Sequence, residues 1–242
     1  MNKALGYLLA LLVIFVAWQL LALAVDSPAL PTPLATVPML FRYAGQLAPD
    51  FLTSLYRVVA AMLLGATLAM PLGLVIGRMP RLDAVLAPML YILYPIPKIV
   101  FLPVLLVLLG LADAPKIILI AITVFFQVLV TVRDAGKEVP EAAILSIRSL
   151  GAGRLDVFWH VMIPASLPAL FTALRVSSGT AVAILFLAET LAGSTGLGYF
   201  IVDSWALLDY PRMFAGIIAM AFLGVFLYEV FDIAEQRLAR WR

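Results

Sequence analysis

The chain has 242 residues, 64% of them hydrophobic and 12% charged, with a mean hydropathy of +1.11, far from the roughly half-apolar, quarter-charged mix of water-soluble domains. Lys and Arg exceed Asp and Glu by only 16 to 14, too small a surplus to imply nucleic acid, and the absence of cysteine excludes disulfides, thiol catalysis and thiolate metal sites. The single histidine, His160, cannot build a zinc site alone, so what remains is one integral membrane domain, long enough for about six spans at ~20 residues each.

Residues 4–25, ALGYLLALLVIFVAWQLLALAV, form the first apolar run, behind Lys3. The run exceeds the roughly 7–15 residues of a signal-peptide core and reads as a retained span. The proline-bearing DSPALPTPLATVPMLFRYAGQLAP that follows reads as an external connection with a short interfacial helix. In the second span, 51–77, Gly65, Ala69, Gly73 and Gly77 fall four apart, a stripe of small residues along which another helix can approach closely. The third region, 85–111, contains Pro88, Pro95, Pro97 and Pro103. A helix there is expected to break or kink, and such backbone survives at membrane depth only against protein or a watery cavity. The fourth, fifth and sixth spans are expected at 117–132, 167–191 and 213–233, with AGSTGLGYFIVDSWALLDYPR as a glycine-containing loop between the last two. The fold class is therefore all-α integral membrane, with about six transmembrane helices.

Six spans put both termini on one side. With the N-terminus inside, the cytoplasmic face gathers Lys3, Arg78, Arg81, Arg133, Lys137, Arg148, Arg154, Arg237, Arg240 and Arg242, against Arg42, Lys116 and Arg212 outside. Ten against three is the positive-inside asymmetry, and it makes residues 133–166 the main cytoplasmic loop. Within it Pro140 can start a helix, Ala143, Ile147 and Leu150 share a face, and Gly151 and Gly153 can break the helix. Asp156 opens a second short run, LDVFWHVMI, which Pro164 and Pro168 are expected to stop. Physics alone leaves two readings: an interfacial hairpin with Phe158 and Trp159 at headgroup level, or a docking element for a cytosolic partner.

SLGAGRLDVFWHVMIPASLP resembles the cytoplasmic loop of binding-protein-dependent ABC importer permeases, whose pattern is E-A-A, three residues, Gly, nine residues, Ile, one residue, Leu-Pro. Gly151 takes the glycine and Ile163-Pro164 the Leu-Pro. LPTPLATV, YPIPKIVFLPVLLVLLGLADAPK, ALRVSSGTAVAILFLAETLAGSTGLGYFI and the basic tail are similar to the nitrate, sulfonate, taurine and bicarbonate branch, so the resemblance covers most of the chain. Two departures stand out. The pattern places Leu145-Ser146-Ile147 where E-A-A belongs, one helical turn after the literal Glu141-Ala142-Ala143, and glycine stands at 153 where the family often has a serine cap.

The resemblance implies a type I ABC importer permease, with both termini cytoplasmic, in a bacterial inner membrane. A second permease copy, the same chain or a related one, would sit with it on two ATP-binding cassette subunits, and an external solute-binding protein would dock near 26–50 and 193–211. There Tyr199, Trp205 and Tyr210 are either contacts or an aromatic belt. The coupling loop, 141–164, would engage the ATPase through Leu150, Gly151, Gly153, Arg154, Asp156, Phe158 and Pro164, with Gly151 giving close approach and Leu150, Arg154 and Phe158 as contacts. The chain contains no G-x-x-x-x-G-K-[ST] loop. ATP and Mg therefore belong to the partner, and no cofactor, metal or catalytic residue is assigned here.

Intramembrane charges are candidates for the solute pathway: Arg57, Lys98, Arg175 and Glu189. Arg57 and Lys98 lie close enough to a span end or a broken helix to snorkel. Arg175 and Glu189 look deeper, but on one helix they are about 21 Å apart and cannot pair. Glu189 is expected to find a cation on another helix, Arg57, and Arg175 to line an inner pathway suited to an anionic solute. The rival is an ion-coupled secondary transporter working without an ATPase. A membrane-embedded enzyme lacks a nucleophile–base or metal constellation, and a purely structural subunit would not need the polar loop or the broken third region.

Overall fold

The computed structural model describes residues 3–239, in which every regular element is helical. The Lys3 side chain and the tail residues Arg240 and Arg242 lie outside the described part. Helix α1, Lys3–Val25, is apolar all round and leaves most of its side chains uncovered, as suits a span that faces lipid. Its Tyr7 hydroxyl donates to Glu229 Oε1 at 3.0 Å. The short helix α2, Pro33–Arg42, starts where Thr32 Oγ1 accepts the Ala35 amide and Pro33 supplies a preset φ.

Helix α3, Ala44–Arg78, has 35 residues, about 52 Å at 1.5 Å each, and so outreaches a ~30 Å bilayer core. Next come α4, Pro80–Leu93, a 3-10 turn, Lys98–Phe101, and α5, Leu102–Leu109. The two arms of this third region meet at 82°. Tyr94-Pro95-Ile96-Pro97 cannot continue a helix, because Pro95 and Pro97 bring no amide proton and bias the residues before them away from helix. Helix α6, Asp113–Glu138, then runs past Val132 to Glu138, so the first residues of the expected cytoplasmic loop are helical.

After α7, Glu141–Arg148, and α8, Arg154–Val157, the chain passes through a π-helical turn, Phe158–Met162, into α9, Ile163–Ala192. Pro164 and Pro168 therefore do not stop the helix. In a regular helix the Pro164 ring would clash with the carbonyl four residues back; the wider π-turn sits across that position, and Pro164 falls in the first turn of α9. The 193–211 segment is likewise not all loop. It contains α10, Leu197–Ala206, whose Leu197, Phe200, Ile201 and Ser204 recur at helical spacing and are buried. Helix α11, Tyr210–Leu238, is capped by Asp209 accepting the Arg212 amide. Among the described residues, five helices are long and apolar enough to cross a membrane, six if the bent pair counts as one span.

The core is the seam where α3 lies along α6, with α9 and α11 closing over it. The small-residue stripe makes the seam possible. A Cβ built at Gly65 would stand 2.7 Å from the Ala121 carbonyl oxygen, and one at Gly73 2.9 Å from that of Leu129. At Gly77 the distance to the Arg133 oxygen would be 2.2 Å, and Ala69 is fully buried. Gly224 on α11 faces open space. Alanine raises helix propensity by up to about 1 kcal/mol over glycine, so Gly224→Ala is expected to hold or raise the melting temperature of the detergent-solubilised chain. Gly65→Ala is expected to lower it through an overpacking cost of about 1–3 kcal/mol.

Candidate functional site

Three features combine polar groups with irregular backbone. The first is the elbow between α7 and α8. Glu141 lies in the exposed first turn of α7, and Ile144 buries the opposite face. The chain turns at Gly151 with φ +91°, a conformation strained for any residue with a Cβ, while open space surrounds the glycine within the subunit. Its glycine is thus required by the turn itself, not by close approach inside this chain. Asp156 Oδ2 accepts the Gly153 amide at 2.8 Å, so the carboxylate at the third helical position caps α8 and replaces a side-chain cap at 153.

Leu150, 86% exposed, stands at the apex of the elbow, and Leu155 and Trp159 are exposed beside it. Arg154 is also exposed, whereas Phe158 is half-buried and packs against the core. Leu155 and Trp159, four apart, lie on the outward face, opposite the buried Val157. Arg78, Arg148 and Arg154 line a hollow of about 420 Å³ between the elbow and the end of α3.

The second feature is a buried ionic knot. Arg57, only 3% exposed, does not snorkel; its Nη1 lies 2.7 Å from Oε1 of Glu189, which is fully buried, and its Nε donates to Asp113 Oδ1 at 2.7 Å. The same guanidinium donates to the Thr195 carbonyl at 2.8 Å and to Thr195 Oγ1 at 2.9 Å. Glu189 also accepts the Ser54 hydroxyl at 2.8 Å and the Gly198 amide at 2.9 Å. Gly196, at φ +102°, lets the loop press so close that a Cβ there would stand 2.3 Å from Glu189 Oε1. The pairing of Arg57 with Glu189 is thus present, and Asp113, Ser54 and Thr195 are the members that sequence spacing could not reveal.

Two further arginines are also paired. The Arg175 guanidinium is bound to Asp232 on α11, with the Tyr228 ring 5.7 Å away. Arg133 pairs with Asp83 of α4, whose other oxygen takes Lys137 at 2.7 Å.

The third feature is the break itself. Lys98 is buried, and its ammonium donates to the carbonyls of Leu93, Ile96 and Tyr94 at 2.6, 2.8 and 3.1 Å, while lying 4.7 Å from the centre of the Phe126 ring. The break frees these carbonyls, and the tethered cation satisfies them. Together the three features present an exposed apolar turn, tie the loop after α9 to α3, and hold a polar break within the bundle. Among the described residues, no cluster of His, Asp or Glu could hold a metal ion.

Removing one partner of a buried ion pair costs about 3–5 kcal/mol, because the other charge is left alone. Arg57→Met is therefore expected to lower the thermal stability of the purified chain by that order. Adding Glu189→Gln should recover most of it, since the amide can stay neutral against Ser54 and Gly198. Unfolding curves of the four members of this double-mutant cycle check the coupling.

Residues 69–240 match the family described as binding-protein-dependent transport system inner membrane component. A probable ABC transporter permease of Brucella abortus is 31% identical over 229 residues, covering 93% of this chain and 90% of that protein. The taurine transport system permease TauC of Escherichia coli is 28% identical over 246 residues, covering 98% and 89%. A protein of Bacillus subtilis described as an aliphatic sulfonates transport permease, SsuC, is 30% identical over 254 residues, covering 100% and 90%. Among solved structures, an inward-facing form of the MetNI methionine ABC transporter has a chain that aligns with TM-score 0.67 at 18% identity, over 81% of this chain and 98% of that one, which shows a shared type I permease fold. The chain belongs to the inner membrane components of binding-protein-dependent transport systems, the permease subunits of ABC importers, and groups with the taurine and sulfonate permeases.

Proposed function

We propose that this chain forms the translocation pathway for a small anionic solute of the sulfonate class, delivered by an external binding protein and moved at the expense of ATP hydrolysed in a separate subunit. The observation that carries this reading is the elbow. An apolar apex, Leu150 with Leu155 and Trp159, projects from a glycine-defined turn beside Arg148 and Arg154. Exposed apolar side chains rimmed by charge mark a protein contact, and here the helix that carries Leu155 and Trp159 continues as α9. A groove on each ATPase that receives this apex and closes on ATP would swing α9 as a rigid body. The elbow then faces the cytoplasm of a bacterial inner membrane, with both termini on that side. A second copy of this chain, or a related permease, completes the pathway.

The anionic cargo rests on the taurine and sulfonate relatives and on the buried Lys98. The ion-coupled alternative draws no support from the broken third region. In such carriers, carbonyls released by an unwound helix coordinate the driving cation; here the Lys98 ammonium fills that place.

Purification in mild detergent from the native host tests the reading. The wild-type chain is expected to bring an ATP-binding subunit with it and to hydrolyse ATP. Leu150→Asp is expected to lose that subunit through a hot-spot cost of about 2 kcal/mol or more, roughly thirtyfold in affinity. Gly151→Val, strained by about 1–3 kcal/mol at positive φ, is expected to lose it too. A wild-type chain that purifies without an ATPase and transports in vesicles under an ion gradient alone overturns the reading.

A further inference from the structure

Beside the Lys98 break lies a cavity of about 240 Å³, smaller than the roughly 300–1,000 Å³ of sites for drug-sized ligands. Its walls come from three spans: the Tyr94–Lys98 break, Thr123, Phe126 and Gln127 of α6, and Thr180 and Ile184 of α9. We infer that this cavity is the station where the acid group of the solute rests inside the membrane, held by the charge of Lys98 and by hydrogen bonds from the Gln127 amide. This rests on the importer reading and adds a location and a chemistry to it.

Three observations carry the inference. No acidic side chain is among the residues that line the cavity, while Lys98 is one of them. Its ammonium is bound to three carbonyls and a ring face. Those are dipoles and a quadrupole with no net charge, so they stabilise the cation without neutralising it, and an anion nearby still meets a full positive charge. Second, Gln127 Nε2 donates to Thr180 Oγ1 at 3.3 Å while the buried Gln127 Oε1 has no hydrogen-bond partner. Turning the amide over hands Oε1 to the Thr180 hydroxyl and frees the NH₂ group to donate into the cavity. An unsatisfied amide beside a cavity is costly unless a ligand or water completes it. Third, the irregular backbone of the break lies between apolar arms, where such backbone persists against protein or a water-filled passage.

The chain contains no cysteine, so one introduced thiol reports on one place in it. Thr180→Cys puts that thiol in the cavity wall. The permease–ATPase complex in lipid nanodiscs, with any thiols of its other subunits blocked beforehand, is treated with the anionic 2-sulfonatoethyl methanethiosulfonate or with its cationic trimethylammonium-ethyl counterpart, with and without ATP. Each reagent transfers its charged ethylthio group to the cysteine thiolate and releases methanesulfinate. Rates are divided by those for free 2-mercaptoethanol. The corrected ratio is expected to favour the anion about tenfold, the local enrichment that a focused unit charge produces, and to fall to one or below when Gln127→Glu is added. As a readout that needs no second substitution, millimolar ethanesulfonate is expected to slow the modification and choline not to. A ratio at or below one in Thr180→Cys, no reaction with either reagent in any state, or equal protection by choline overturns the inference. ATP hydrolysis by the same sample keeps the two ideas apart. An intact ATPase with no anion preference removes the cavity assignment alone, whereas a permease that brings no ATPase fails the importer reading whatever the ratio.

Discussion

In hydrocarbon no water is at hand to take up a stray amide or carbonyl, and each one left unpaired costs several kcal/mol. That constraint orders two irregular parts of this molecule. Where the proline-rich break frees three carbonyls, Lys98 is folded back to fill them. Where the loop after α9 returns into the bundle, Arg57 takes the Thr195 carbonyl, Ser54 the Leu197 amide and Asp50 the Gly196 amide. Charge inside this membrane domain is thus used in part to satisfy backbone.

Close packing turns these local solutions into a machine. Because α3 and α6 meet backbone to backbone along the glycine stripe, they have no slack to slide and form the frame. Arg57 stands on that frame and grips Glu189 at the far end of α9. The other end of α9 continues through the π-turn into the elbow. One helix is therefore held at one end by an ion pair and joined at the other to the exposed turn that carries Leu150.

How much of this could be read beforehand differs by element, for physical reasons. The Gly65 to Gly77 stripe, the broken third region and the glycine elbow were legible because each is written in residues with one strong local preference. The partner of Glu189 was legible by exclusion, since a buried carboxylate needs a cation and few were on offer. Helix α10 was not read, because Gly193, Gly196 and Gly198 mask a buried face that begins at Leu197. The continuation past Pro164 was missed because a π-turn leaves no compositional mark. The partner of Arg175 was not legible because Asp232 lies 57 residues away in sequence, a distance no periodicity spans. The half-burial of Phe158 was not legible either: spacing shows which residues share a face, but not which face the bundle covers.

The π-turn sets the angular position of the elbow on the shaft of α9. One residue in a regular helix is worth about 100° of rotation, so the extra residue held between Phe158 and Met162 decides the compass bearing at which Leu150 and Trp159 leave the bundle. Length in this segment is therefore an inherited quantity in its own right. Substitutions between Gly153 and Pro164 alter the exposed surface itself, whereas a single insertion or deletion would turn the same surface to a different bearing.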